Sequence, residues 1–404
     1  MNNCIGAAID PLIRYPGYDL SLGNIVKAEN CYLYDENGNR YVDLESGVWC
    51  TAVGHSHPRI LRVLKRQAGR IAHTGFSYTH PIVEEAAKKI LSLHGFDNGR
   101  CTFLCSGSEA VEFGVRAAQS VGSRPLLLTL ADSYFGAYGS APARRQEEWF
   151  GFDWTACADC DPEGLCDRSC HHWAAIPFGR SGGFLFEPGS SSGLVRFPPT
   201  KLIRSIEAAI RADGGLLLVN EVTTGIGRTG KWFGYQHYDL TPDIVAMGKG
   251  IGNGYPVSAT AISNEVAIRL AGSGFTYAQS HQNDPLGAGI ALEVIRIIEE
   301  EKLIERAKKL GAVLCAGLAA VRERTGRIAD VRARGLMAAV DLKEHGDAEY
   351  AARVQQALVQ NGFLVARRPG LNTLRVDPAL TIERSDLTDF LAVVEKIVTD
   401  PAAA

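Results

Sequence analysis

The sequence predicts an α/β fold: a largely parallel sheet with crossover helices, followed by an α+β lobe toward the C-terminal end. Three observations lead there. Short apolar runs of strand length recur between Pro58 and Met247, separated by segments whose apolar residues repeat at helical spacing. At 404 residues the chain is two to three times an ordinary domain, which suits one large domain with a smaller companion. Hydrophobic residues make up 46% and charged residues 22%, the balance of a soluble globular protein, and this excludes a disordered scaffold or a low-complexity fibre. With 42 Lys and Arg against 45 Asp and Glu, the formal net charge of -3 offers no field for nucleic acid or an anionic membrane, so the expected partners are small molecules.

The opening stretch, MNNCIGAAIDPLIRYPGYDL, lacks a basic start followed by an unbroken apolar run, so no secretory or transit signal is expected. Apolar runs such as Leu216 to Val219 fall far short of the roughly 20 residues that cross a bilayer. A cytoplasmic setting is therefore expected, with the ten Cys present as thiols rather than as a disulfide frame. Pieces of β type at Cys31 to Tyr34 and Arg40 to Leu44, split by Asp35, Glu36, Asn37, Gly38 and Asn39, form a small hairpin. Ile60, Val63, Leu64 and Ala68 mark a helix, and Cys101 to Leu104 a strand. Further buried strands follow at Pro125 to Leu130, Gly183 to Phe186, Leu216 to Val219 and Ile244 to Met247. A helix carrying Leu202, Ile203, Ile206 and Ile210 ends at Gly214 and Gly215. Beyond about Asp284 the pattern is mainly helical, with one stripe at Leu310, Val313, Leu314, Leu318 and Val321. Short strands return near Leu336 to Val340 and Thr373 to Val376, before a last helix near Ser385 to Val398.

In open α/β sheets ligands gather at the carboxyl ends of the strands, and three of those ends carry chemistry. Cys105, Ser106, Gly107, Ser108 and Glu109 lead from a strand into a helix. Such a turn offers free N–H groups and hydroxyls to an anion such as phosphate, and the same residues suit an ordinary helix cap. The stretch from Asn220 to Gly230 has Gly225, Gly227 and Gly230 within six residues, a loop open to close approach by a ligand or a neighbouring subunit. Lys249 follows a buried strand directly and is flanked by Gly248 and Gly250. There it can be desolvated into a nucleophilic amine, the ordinary alternative being a solvated lysine.

Together and in this order these stretches resemble the class III aminotransferases, pyridoxal-phosphate (PLP) enzymes of the aspartate aminotransferase fold, fold type I. The resemblance covers most of the chain. It runs from YLYDENGNRYVDLESGVWCTAVGHSHP through FLCSGSEAVEFGVRAAQ, SYFGAYG and FEP to NEVTTGIGRTGKWFGYQHYDLTPDIVAMGKGIGNGYP, SHQNDPLGAG and LRVDPAL. It implies a large PLP-binding domain over about 51–305, carrying a Cys-rich insertion at about 153–175, and a small α+β domain built from residues 1–50 and 306–404. Lys249 corresponds to the lysine that forms a Schiff base with PLP and then carries the substrate's Cα proton. Ser106, Gly107 and Ser108 match the phosphate-binding turn. Ser280 stands where relatives offer a Thr from the partner subunit to the same phosphate, which implies a homodimer. Tyr134 matches the aromatic stacked on one face of the pyridine ring, with Phe135 adjoining, and Val222 the apolar residue on the other face. Trp49 matches an aromatic of the substrate pocket. Arg375 matches a carboxylate-binding Arg, whose planar guanidinium grips a carboxylate through two parallel bonds. A core aromatic and a structural ion pair are the ordinary readings of these last two residues.

Four positions depart from the family's pattern. Asn220 stands where relatives carry Asp, at the usual offset of 29 residues before Lys249 (249 minus 220). An Asp carboxylate keeps the pyridine nitrogen protonated and the ring a strong electron sink, and a neutral amide supplies no such charge. Thr223 replaces the Gln that touches the cofactor's phenolic oxygen, and Phe135 replaces a His. Ser192 stands where some relatives place a glutamate that parks against the Arg, which leaves Arg375 available to a substrate carboxylate.

A cysteine quartet lies outside this pattern. Cys157, Cys160, Cys166 and Cys170 are spaced C-x2-C-x5-C-x3-C and are followed by His171 and His172. Four thiolates so close together suit tetrahedral zinc or an iron–sulfur cluster, with Asp161, Pro162 and Gly164 giving the intervening loop the means to fold round one. Free thiols in an insertion are the alternative. The function implied by the resemblance is transfer of an amino group from a small amine or amino acid to a 2-oxo acid. A racemase or epimerase on the same fold would use Lys249 without releasing a keto acid, and Asn220 raises its weight. A non-catalytic PLP-binding protein is the remaining alternative.

Overall fold

The computed structural model describes residues 12–13, 20–75, 77–122, 124–160, 166–343, 349–368 and 370–400. The chain enters through β1 (Ile25–Glu29), β2 (Tyr32–Asp35) and β3 (Arg40–Asp43), an antiparallel meander. The turn between β2 and β3 is closed by Asp35, whose carboxylate accepts the N–H groups of Asn37 and Asn39 and the Asn39 side-chain amide. This is the local chemistry that makes Asp a turn former. The hairpin was legible from those residues, but β1 was not, because nearly all of its side chains are exposed and leave no burial pattern.

Seven strands form the central sheet: β4 (Arg100–Leu104), β5 (Leu126–Leu130), β6 (Trp149–Phe152), β7 (Ser181–Phe186), β8 (Leu216–Asn220), β9 (Ile244–Met247) and β10 (Ser258–Ile262). Their order is β4-β10-β9-β8-β7-β5-β6. The pairs from β9 to β6 are parallel, and β10 runs antiparallel to both its neighbours, so the sheet is mixed. Successive residues point to opposite faces. Leu216, Leu218, Ile244 and Ala246 join the core under helix Gly107–Val121, with Ala110, Val111 and Phe113, whereas Leu217, Val219, Val245 and Met247 join the larger core on the other face. Burial on both faces explains the continuous apolar runs by which these strands were read. The same alternation carries Asn220, the last residue of β8, to the face covered by helix Gly107–Val121.

After helices Pro285–Glu300 and Leu303–Thr325 come β11 (Ile328–Arg334), β12 (Met337–Leu342), β13 (Phe363–Leu364), β14 (Ala366–Arg367) and β15 (Thr373–Val376), then helix Arg384–Thr399. A second sheet has the order β11-β12-β15-β14, while β13 pairs parallel with β3, so the two ends of the chain share a sheet. Gly335, at the β11–β12 turn, meets backbone on two sides. A Cβ on it would lie 2.4 Å from the carbonyl carbon of Thr229, and a Cβ on Gly311 would lie 2.1 Å from the Gly335 oxygen. Only glycine fits at either place. Among the described residues no helix is long and apolar enough to cross a membrane.

Candidate active site

The turn after β4 is a capped helix start. Ser106 Oγ accepts the Glu109 N–H at 3.3 Å, and Glu109 Oε2 accepts the N–H groups of Ser106 and Cys105 at 2.8 and 2.7 Å. This capping box leaves the N–H groups of Gly107 and Ser108, at the positive end of the helix dipole, for an outside acceptor. Ser108 Oγ accepts the Ala137 N–H at 3.0 Å and keeps its own proton to donate. A Cβ on Gly107 would lie 2.6 Å from Val222 Cγ1, so the turn and the β8 loop approach as only a glycine permits. Ser106, Gly107, Ser108 and Val222 are thus brought together.

Lys249 follows β9 in the left-handed region, with φ 47°. Its Nζ donates to Thr223 Oγ1 at 2.8 Å and lies 4.5 Å from the centre of the Trp49 ring. Burial, with the Arg375 guanidinium adding repulsion, lowers its pKa to about 8. Trp49 is presented by an unusual turn. Ser46, Gly47, Val48 and Trp49 all have positive φ. Left-handed backbone costs roughly 1–2 kcal/mol per residue with a Cβ, and here the Asp43 carboxylate, which accepts the N–H groups of Glu45 and Ser46, helps to hold it.

Asn220 is pinned on both sides of its amide. Nδ2 donates to the Tyr134 carbonyl at 3.0 Å, and Oδ1 accepts the Val222 N–H at 3.1 Å. Tyr134 in turn donates its N–H to Glu187 Oε2 at 2.9 Å, and the Ser191 hydroxyl donates to Glu187 Oε1. Burial raises the Glu187 carboxyl to about 7 against the pull of these hydrogen bonds. Glu187 was quoted within the FEP stretch but given no role by sequence reasoning, because its nearness to Tyr134 is a tertiary fact.

Arg375 requires a correction. Ser192 was expected to leave it available, yet Arg375 Nε and Nη2 each lie 3.0 Å from the two carboxylate oxygens of Asp377. Asp377 thus fills the guanidinium fork. The signal was in the sequence: residues two apart on extended backbone share a face, so Asp377 sits beside the guanidinium. Phe135 follows Tyr134 with its side chain turned into the core. Its ring is buried under helix Gly107–Val121, 6.4 Å from that of Trp149 and 5.6 Å from the Arg144 guanidinium carbon.

Ser280 lies exposed on a turn ahead of helix Pro285–Glu300. Close by in sequence, His281 and Asp284 join His73 in a group that composition did not reveal: the Asp284 carboxylate meets both imidazoles, at 2.6 and 2.7 Å. Cys157 is buried at the end of a short turn, Thr155–Cys157, while Cys160 is exposed and Cys166 and Cys170 are half-buried. The Cys160, Cys170 and Cys166 thiols all lie within electrostatic reach of Cys157. Asp161, Pro162 and Gly164 lie outside the described residues.

Comparison with known proteins gives the family. The chain is 30% identical to the leucine/methionine racemase of Thermococcus litoralis, over 93% of this chain and 90% of the relative. It is 25% identical to the acetylornithine aminotransferase of Caldanaerobacter subterraneus subsp. tengcongensis, over 93% and 94%. The crystal structure of acetylornithine aminotransferase from Elizabethkingia anophelis superposes with a TM-score of 0.82 at 26% identity, over 95% of each chain. Residues 15–143 and 179–398 match the pattern of the class-III aminotransferases. With this match over most of its length, the chain belongs to the class-III aminotransferase family, on the PLP fold type I.

Proposed function

We propose that this chain transfers an amino group from a small amine or amino acid to a 2-oxo acid, with PLP held at Lys249. One observation carries the reading: a largely buried amine with its pKa lowered to about 8 stands at the carboxyl end of the sheet, bonded to Thr223 and close to the cradle of Gly107 and Val222. The residues suit the cofactor. The Gly107 and Ser108 N–H groups and the Ser108 hydroxyl would hold a phosphate, and Ser280 would complete that site from a partner subunit in a homodimer. Tyr134 and Val222 would flank a planar ring, with the Asn220 amide at its nitrogen. When bound, PLP supplies the electron sink that lets the substrate's Cα–H bond ionise. Lys249 takes and returns that proton, Thr223 Oγ1 orients its amine, and Glu187, accepting the Tyr134 N–H and the Ser191 hydroxyl, fixes the backbone at Tyr134.

Asn220 favours racemisation or epimerisation as a second reading, as does likeness to a protein named leucine/methionine racemase. Incubation with a panel of amines and amino acids in heavy water, with and without 2-oxoglutarate or pyruvate, separates the two by NMR. Loss of Cα–H in step with keto acid or aldehyde formation and acceptor amination is the expected result. Exchange without net oxo product would transfer the assignment to racemisation, and no exchange with any donor would remove both.

We also infer a structural zinc ion or iron–sulfur cluster at Cys157, Cys160, Cys166 and Cys170. The family match stops at residue 143 and resumes at 179, so all four thiols lie outside the family's pattern, and they fall within fourteen residues of the sequence. Metal analysis of protein purified without a histidine tag is expected to find zinc, or iron with visible absorbance, lost on substituting Cys157→Ser. Protein free of both metals would end this reading.

A further inference from the structure

The wall beside Lys249 holds a closed ion pair. Besides its two bonds to Asp377, the Arg375 guanidinium donates from Nη1 to the Ser191 carbonyl at 3.3 Å and lies 3.7 Å from the Trp49 ring centre. Arg375 is 2% and Asp377 0% exposed. Asp377 is itself anchored: its N–H donates to the Leu44 carbonyl at 2.7 Å, and its carbonyl accepts from the Ser46 hydroxyl. A second carboxylate, Glu45, stands within electrostatic reach of both partners. A substrate carboxylate arriving here meets a fork already filled. It gains two bonds only by displacing two equivalent ones, and the displaced Asp377 charge is left in a buried place.

We propose that Asp377 is a resident counter-ion that sorts substrates by charge. Compounds whose reacting amine or oxo carbon carries no neighbouring carboxylate bind with the pair intact, resting an apolar or neutral flank on Trp49. Amino acids and 2-oxo acids bind only by displacing Asp377. The inference rests on Lys249 being the reacting group and adds the substrate class: primary amines are the favoured donors, and 2-oxo acids are held weakly as acceptors. Trp49, whose ring lies against both Lys249 and Arg375, also carries a buried Nε1 with no hydrogen-bond partner.

Calorimetric titration of the cofactor-loaded protein with isovalerate and with its neutral counterpart isovaleramide tests this without turnover. The wild-type protein is expected to bind isovalerate less than about tenfold more tightly than the amide. Asp377→Asn keeps the shape and removes the charge, and is expected to bind isovalerate about tenfold or more tightly than the wild type, with isovaleramide unchanged. A wild-type preference for isovalerate beyond tenfold, or no gain in Asp377→Asn, overturns the proposal. If Asp377→Asn does not fold, the wild-type comparison decides alone. Failure of the amino-transfer reading would register separately, as absent Cα–H exchange in heavy water with the charge discrimination still present.

Discussion

Lys249→Ala is expected to lose Cα–H exchange by about 10²- to 10⁴-fold or more, since one substitution removes both the proton carrier and the covalent anchor for the cofactor. The same amine sets a pH dependence in the unsubstituted protein. Only the neutral amine attacks a carbonyl, so the rate at which apo-protein captures PLP follows the neutral fraction of Lys249. With its pKa lowered to about 8, that rate rises about tenfold per pH unit below this value and levels off above it. Stopped-flow absorbance across a pH series reads the profile directly. A rate still climbing tenfold per unit through pH 10, as for an ordinary lysine with a pKa of about 10.4, would show that burial does not tune this residue. Absorbance of the cofactor complex lost in Lys249→Ala, with the fold retained by circular dichroism, separates a chemical defect from a structural one.

Asn220→Asp is the second large effect, and its direction follows from the neighbours. The amide donates to the Tyr134 carbonyl and accepts from the Val222 N–H. A carboxylate keeps the second bond but sets an oxygen against the Tyr134 carbonyl oxygen in a buried place, leaving two acceptors with no proton between them. The expected cost is about 1–3 kcal/mol of stability, read by denaturant unfolding. Through Tyr134, whose N–H is held by Glu187, the strain reaches the residue that would cover the ring. Cα–H exchange is therefore expected to stay level or fall, although a carboxylate would charge the ring nitrogen. Exchange accelerated by tenfold or more with stability unchanged would mean that the amide is a handicap rather than a fitted part. The matching Asn220→Ala variant controls for simple loss of the two hydrogen bonds.

The strands that carry the site were readable because they are buried on both faces and so spell unbroken apolar runs, and their carboxyl ends were marked by Gly107, Gly225 and Gly248. Lys249 and the Ser106 cap were legible for the same local reason. β10 was missed because Ser258, Ala259, Thr260 and Ala261 are too small and mixed to announce a strand, although all are buried. The left-handed turn from Ser46 to Trp49 had one hint, Gly47, since the sign of φ at the other three residues is imposed by packing. Asp377 was visible in LRVDPAL, yet its meaning depended on which partner Arg375 chose, and that choice is made in three dimensions. The Glu187–Tyr134–Asn220 chain joins residues 53 and 86 positions apart, beyond the range of any local pattern.

The contact of Gly311, Gly335 and Thr229 has a mechanical consequence. Backbone meets backbone there with no side chain to give way, so the β11–β12 hairpin and the loop after β8 are held in register at a point where no added atom can be absorbed. Because β12 is paired with β15 through Ala339 and Arg375, a methyl group added at Gly335 is expected to strain the strand pair that carries Arg375 without touching any residue of the charged wall.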